Sequence, residues 1–150
     1  MTIPGRPVKL YTVGYQRKAP EELLRLLLRE KVRLVADVRK RASSRRPAFS
    51  KKALGSMLGQ EGIAYRHFPE LGSGPEMRRA LLSGGDFECF AGDYLAMLAN
   101  LEGSLSELLS LAAAASTCLL CYEADPSQCH RSLVAIELAR LSPGLSVVHL

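Results

Sequence analysis

The residues of this sequence that can do chemistry gather behind three short apolar runs. Gly14-Tyr15 follows Val8–Val13, and Asp37-Val38-Arg39 follows Val32–Ala36. Tyr122-Glu123 follows Thr117–Cys121, and Cys129-His130-Arg131 comes soon after. Asp37 and Glu123 supply carboxylates for general acid–base work. Cys129 beside His130 pairs a nucleophile with a base. Arg39 and Arg131 offer planar guanidinium forks that match phosphate.

Each of these groups has a bland reading beside the chemical one. Asp37 and Arg39 are two apart on one strand and share a face. They form either an ion pair that finishes the strand or a carboxylate and a guanidinium facing one ligand. The second is the expectation, because strand ends carry the sites of open parallel sheets. Glu123 either joins Asp37 at the site or pairs with Arg131. Tyr15 and Tyr122 are placed to pack against a nucleobase or donate a hydrogen bond. His67 and His149 read as structural.

Cys129, His130 and Arg131 fall at the start of a helix. A helix N-terminus attracts anions and lowers the pKa of a thiol, and Arg131 adds to that. Cys129 is therefore expected to be more acidic than an ordinary cysteine; the alternative is an inert thiol packed under the helix. No Cys-x5-Arg loop of the phosphatase type starts at Cys129 or Cys121. Cys118 and Cys121 are three apart on one strand, so they point to opposite faces and share neither a metal nor a redox bond. A metal site built from Cys121, Cys129 and His130 fits no common zinc spacing, and none is expected.

The charge is concentrated. The chain has 150 residues and a formal net charge of +5. Between Val38 and Gln60 there is no acidic residue, but there are seven basic ones: Arg39, Lys40, Arg41, Arg45, Arg46, Lys51 and Lys52. Without those seven the chain would be net acidic. Such a patch suits a nucleotide or nucleic acid, and Arg45 and Arg46 on a loop are the expected phosphate contacts. A merely solvated basic loop is the alternative.

The elements that must hold these residues alternate. Pro20 opens a helix with Glu21 and Glu22 in its first turn, where carboxylates favour the positive helix end. Strand 32–36 follows. Residues 42–49 have no period and read as a loop, after which Ser50 is placed to cap a helix over 51–60. Strand 63–68 comes next. Three helices, near 76–82, 87–99 and 104–115, form a long connection to strand 117–121. Asp125 is placed to cap a helix over 126–141, and strand 146–150 ends the chain.

Five strands alternating with helices predict one doubly wound, mainly parallel α/β domain over 1–150, Rossmann-like, with a helical insertion between strands three and four. The expected order is 3-2-1-4-5, with the switch point between strands one and four. At 47% hydrophobic composition the chain can bury a real core. No apolar run approaches a membrane span, and Met1–Arg6 lacks the apolar core of a signal peptide. A soluble, cytoplasmic protein with reduced thiols is expected.

Several motifs taken together resemble the DUF488 family. They are Thr12-Val13-Gly14-Tyr15, Asp37-Val38-Arg39, Ser44–Ser50, Tyr65–Gly72 and Cys129-His130-Arg131-Ser132. The resemblance covers nearly the whole chain. It implies an α/β fold and a shared polar site but names no activity.

The functional expectation is an enzyme acting on a phosphate-bearing substrate, a nucleotide or nucleic acid. Arg39, Arg45, Arg46 and Arg131 would hold the anion, with Asp37 or Glu123 as acid or base. The alternatives are a non-catalytic nucleotide or nucleic-acid binding module, and cysteine chemistry at Cys129. The sequence names no cofactor and no oligomeric state.

Overall fold

A computed structural model describes residues 7–150, apart from the side chains of residues 75, 78 and 82. Met1–Arg6, read above for a signal peptide, lies outside the described residues. Five parallel strands form one sheet: β1 Val8–Gly14, β2 Leu34–Asp37, β3 Ala64–His67, β4 Thr117–Cys121 and β5 Leu145–His149. The helices are α1 Pro20–Arg29, α2 Lys51–Gln60, α3 Pro75–Leu82, α4 Phe87–Leu98, α5 Glu102–Ala114 and α6 His130–Leu141. The α/β class, the helical insertion between β3 and β4, and helices on both faces agree with the sequence reading.

The strand order is β3-β2-β4-β1-β5, so β4 and β1 exchange places relative to the expected 3-2-1-4-5. Both are almost wholly apolar, and side-chain pattern alone ranks neither as the more central. The deciding fact is tertiary. All five residues of β4 are buried, and its neighbours on the two sides are β1 and β2. The edge strands are as expected, β3 and β5: β3 alternates between exposed and half-buried positions, and β5 has only Leu145 buried.

Two apolar layers flank the sheet. On one face Leu23 and Leu27 of α1 and Leu54 and Leu58 of α2 pack with Tyr11, Val13, Cys118 and Leu120. These helix residues are four apart and lie on one stripe. On the other face α4, α5 and α6 cover Leu10, Ala36, Leu119 and Cys121. Cys118 and Cys121 thus lie in different layers, as their offset of three requires.

The topology leaves a crevice at the carboxyl end of β4. The chain leaves β1 and β2 for helices of the first layer, and leaves β4 for α6 in the second. Strand ends that part in this way frame the usual ligand crevice of an open sheet. Because β4 is central, the crevice is bordered by β1 on one side and β2 on the other.

Local signals set the helix starts. Pro20 occupies the first turn of α1, and the Glu22 carboxylate accepts from the Ala19 N–H at 3.3 Å. Asp86 caps α4 by accepting from the Glu88 N–H at 3.0 Å. Ser50 precedes α2 as expected, but its hydroxyl donates to the Pro47 carbonyl and does not cap the helix. The expected helix over 126–141 divides. Asp125 caps a short 3-10 turn, Pro126–Gln128, accepting from the Ser127 N–H at 2.9 Å. Cys129 is then extended, and α6 begins at His130.

Candidate functional site

Six short segments converge on a cavity of about 660 Å³ in the crevice. Tyr15 comes from the end of β1, and Arg39, Lys40 and Arg41 from the segment after β2. Cys121 and Tyr122 close β4, and His130 opens α6. Ser43, Ser44, Arg45, Arg46 and Ser73 complete the lining. Five of the lining residues are basic, and none of the lining residues is acidic.

Close backbone approaches give the crevice its shape. A Cβ on Gly14 would sit 1.7 Å from the Glu123 carbonyl oxygen, and one on Gly72 2.2 Å from the Lys40 nitrogen. Both contacts are with main chain, which cannot swing aside. Glycine at these positions lets the loop after β4 lie on β1, and lets the Gly72-Ser73 turn lie on the segment after β2.

Asp37 and Arg39 form a buried ion pair. Arg39 Nη2 stands 2.7 Å from Asp37 Oδ2, with the two side chains 6% and 0% exposed. Arg39 Nε and its backbone N–H both donate to Asp37 Oδ1, at 2.9 and 3.1 Å. The Tyr65 hydroxyl donates to Oδ2. A carboxylate has about four lone-pair sites, and all of those on Asp37 are taken. Arg39 Nη1 also donates to the Phe49 carbonyl at 2.8 Å and to the Tyr15 hydroxyl at 3.2 Å. Burial by itself lowers the pKa of Arg39, but the hydrogen bonds and charge of Asp37 outweigh it, and the net shift is upward. Burial and Asp37 together push the Tyr65 hydroxyl up. The pair ties β2 to the Phe49 turn, which is the local ion-pair alternative of the sequence reading.

The other sequence candidates divide between wall and scaffold. Tyr15 is buried, stacked on Phe49 at 4.5 Å, with the Arg39 guanidinium 5.3 Å from its ring centroid. Tyr122 meets Tyr15 edge-on and is 39% exposed, so one of its surfaces is open to a ligand. Arg46 lies over Phe49 at 4.4 Å and donates to the carbonyls of Tyr15 and Lys18. Arg45 and Arg41 are exposed on the wall.

Arg131 does not join the cavity wall. It is fully buried, and donates to Thr12 Oγ1 and to the carbonyls of Glu123 and Ala124. It holds the loop after β4 in place. The Glu123 carboxylate accepts from the Cys121 thiol at 3.8 Å.

Cys129 is only 1% exposed. Burial, reinforced by Cys121, pushes its thiol above the ordinary range, although His130 opposes this. The expected acidic thiol is thus reversed, because desolvation outweighs the helix N-terminus. The thiol that reaches the cavity is Cys121, which the sequence reading weighed as a metal ligand, a redox partner of Cys118 and a phosphatase-type nucleophile and retained as none of them. Lys40, Arg41, Ser43, Ser44 and Ser73 also line the cavity. Of these, Lys40 and Arg41 had a sequence signal as members of the basic run, and Ser44 as the head of the Ser44–Ser50 motif; Ser43 and Ser73 had none.

The family model described as domain of unknown function DUF488 matches residues 19–138. The chain belongs to the DUF488 family. No curated protein and no solved structure matches it. Within this DUF488 domain lie the Asp37–Arg39 pair, the basic wall, and the Cys121, Cys129 and His130 side chains. Gly14 and Tyr15 stand just before the matched span.

Proposed function

We propose that the crevice binds a phosphate-bearing ligand, a nucleotide or a stretch of nucleic acid. The observation that carries this reading is the composition of the wall: five basic side chains and no acidic one around a cavity of about 660 Å³. The roles divide by what each side chain already does. Arg39 and Arg46 spend most of their donors on carbonyls and on Asp37, so they set the shape and the field. Lys40, Arg41 and Arg45 are exposed at the wall and supply the direct phosphate contacts. The open surface of Tyr122 is suited to a stacked base.

A catalytic reading is favoured by one observation, the Cys121 thiol and the His130 imidazole on the same cavity wall. In that reading Asp37 is scaffold, since its lone pairs are committed, and acid–base work falls to His130, which lines the cavity.

The test is equilibrium binding of labelled nucleotides, single-stranded DNA and RNA across a salt series. Affinity should fall steeply with salt, because each phosphate contact releases condensed counterions. Arg41→Ala with Arg45→Ala should weaken binding about tenfold or more and flatten the salt slope by about one to two units. Absence of binding at low salt, or binding indifferent to salt, refutes the proposal.

A further inference from the structure

Cys121, Cys129 and His130 are brought together where the chain leaves the central strand and enters α6. Cys121 ends the central strand, Cys129 is the extended residue before α6, and His130 is the first residue of that helix. Their ligand atoms all lie within 4.8 Å of one another, and all three residues are buried. We propose that these three side chains form a Cys2His site for a divalent zinc-class cation, with its fourth position open to the crevice.

The geometry supports the assignment in three ways. With metal–sulfur bonds of about 2.3 Å and metal–nitrogen bonds of about 2.0 Å, a tetrahedral centre holds its ligand atoms about 3.5–3.8 Å apart. Cys121 Sγ already stands 3.6 Å from His130 Nδ1. Rotation of the side chains would draw ligand atoms now within 4.8 Å of one another to that spacing.

The second support is the imidazole's outer partner. His130 Nε2 lies 2.7 Å from the Val38 carbonyl oxygen. A carbonyl only accepts, so Nε2 carries the proton and Nδ1 keeps its lone pair for a metal; Cys121 Sγ stands 3.6 Å from Nδ1 and 3.8 Å from Nε2, and a turn of the ring would aim that lone pair at a shared cation. Metal-bound histidines are oriented in this way, by a carbonyl or carboxylate on the other ring nitrogen.

The third is access. Cys121 and His130 line the crevice while Cys129 lies behind them. Three protein ligands with one open position is the arrangement of catalytic rather than structural zinc sites. Two thiolates and an imidazole also suit a borderline-soft cation over magnesium or calcium, which take oxygen ligands. Binding is balanced by proton release: two thiols become thiolates, two protons leave, and the centre carries no net charge. The sequence reading weighed this trio and set it aside because its spacing matches no common zinc motif; the fold brings the three together where β4 ends and α6 begins.

The proposal stands apart from the phosphate reading, and its test reads metal alone. Reduced, metal-stripped wild-type protein, with its fold checked by circular dichroism, is titrated with Co²⁺. One equivalent should bind with the visible bands of a tetrahedral site and a thiolate-to-cobalt charge-transfer band. Zn²⁺ should displace it and protect two of the four thiols from alkylation. Cys89→Ser, which alters an exposed cysteine, should leave the spectrum unchanged. Cys129→Ser and Cys121→Ser should each shift the charge-transfer band or lower affinity at least tenfold. The wild-type titration keeps the proposal testable even if those variants misfold. Folded wild type that takes up no Co²⁺ overturns it. So does uptake without a thiolate band, or uptake unchanged in folded Cys121→Ser and Cys129→Ser proteins.

Discussion

At the scale of the residue, the side chains with the strongest sequence signal prove to be largely structural. Asp37 and Arg39 satisfy each other, with Tyr65, Phe49 and Tyr15 closing the remaining valences. Removing one partner would leave a buried charge without compensation, which costs about 3–5 kcal/mol. Arg39→Ala is therefore expected to lower stability by that amount, measured as a drop in the urea midpoint. Tyr65→Phe removes one charge-assisted hydrogen bond and should cost about 1.5–3 kcal/mol. An Arg39→Ala protein as stable as wild type, failing only in ligand binding, would show that the guanidinium serves the ligand and not the fold.

At the scale of the element, the loop after β4 decides whether the crevice exists. It is pinned from below by Gly14, whose missing side chain admits the Glu123 carbonyl, and by Arg131, which binds the carbonyls of Glu123 and Ala124. Gly14→Ala inserts a methyl group where backbone already lies. The loop must lift or the strand must shift, and a loss of about 1–3 kcal/mol is expected, as for overpacking in a core. Ligand binding should fall with it, and Gly59→Ala, where a Cβ meets nothing within 4 Å, is the matched control.

The β5 edge carries a second local device. Arg131 Nε donates to Thr12 Oγ1, which stands 2.5 Å from His149 Nδ1. Burial, with the Arg131 charge behind it, lowers the pKa of His149 from 6.5. The unfolded chain then takes up the proton first on acidification. The contribution of His149 to stability is thus present above about pH 6.5 and lost as pH falls through the folded value. The residue is exposed, so the effect is modest. His149→Gln should flatten the pH dependence of stability between pH 7 and 5, and an unchanged slope would remove His149 from this role.

At the scale of the whole molecule, two layers of side chains clamp one parallel sheet, and ionisable groups inside them tie stability to pH. Burial raises Cys118 above its ordinary 9.0, with Arg131 opposing, and Tyr65 is raised above its ordinary 10.0. In both cases the unfolded chain loses its proton first as pH rises. Their stabilisation is complete below about pH 9 and declines above it. Urea midpoints should fall progressively from pH 9 to 11, and the fall should be shallower in Cys118→Ala and Tyr65→Phe. No described helix is long and apolar enough to cross a membrane.

The sequence by itself determined what depends on local chemistry and period. Apolar runs and Pro20 mark five strands and their helices, and Asp125 marks the start of the turn that leads into α6, because these signals act over a few residues. The offset of three between Cys118 and Cys121 placed them on opposite faces for the same reason. The basic run after β2 was also legible, since charge is read directly. Tertiary structure alone decided the rest. The order of β4 and β1 depends on which of two buried strands pairs with β2, a choice their side-chain patterns do not encode. The fate of Cys129 turned on desolvation, which is a property of everything packed around it. The cluster of Cys121, Cys129 and His130 exists because an extended residue between a 3-10 turn and α6 turns one thiol inward beside another. That meeting of strand end and helix start is a fact of three-dimensional packing; the sequence could name the three residues together, but their spacing, which matches no common zinc motif, could not show that they converge.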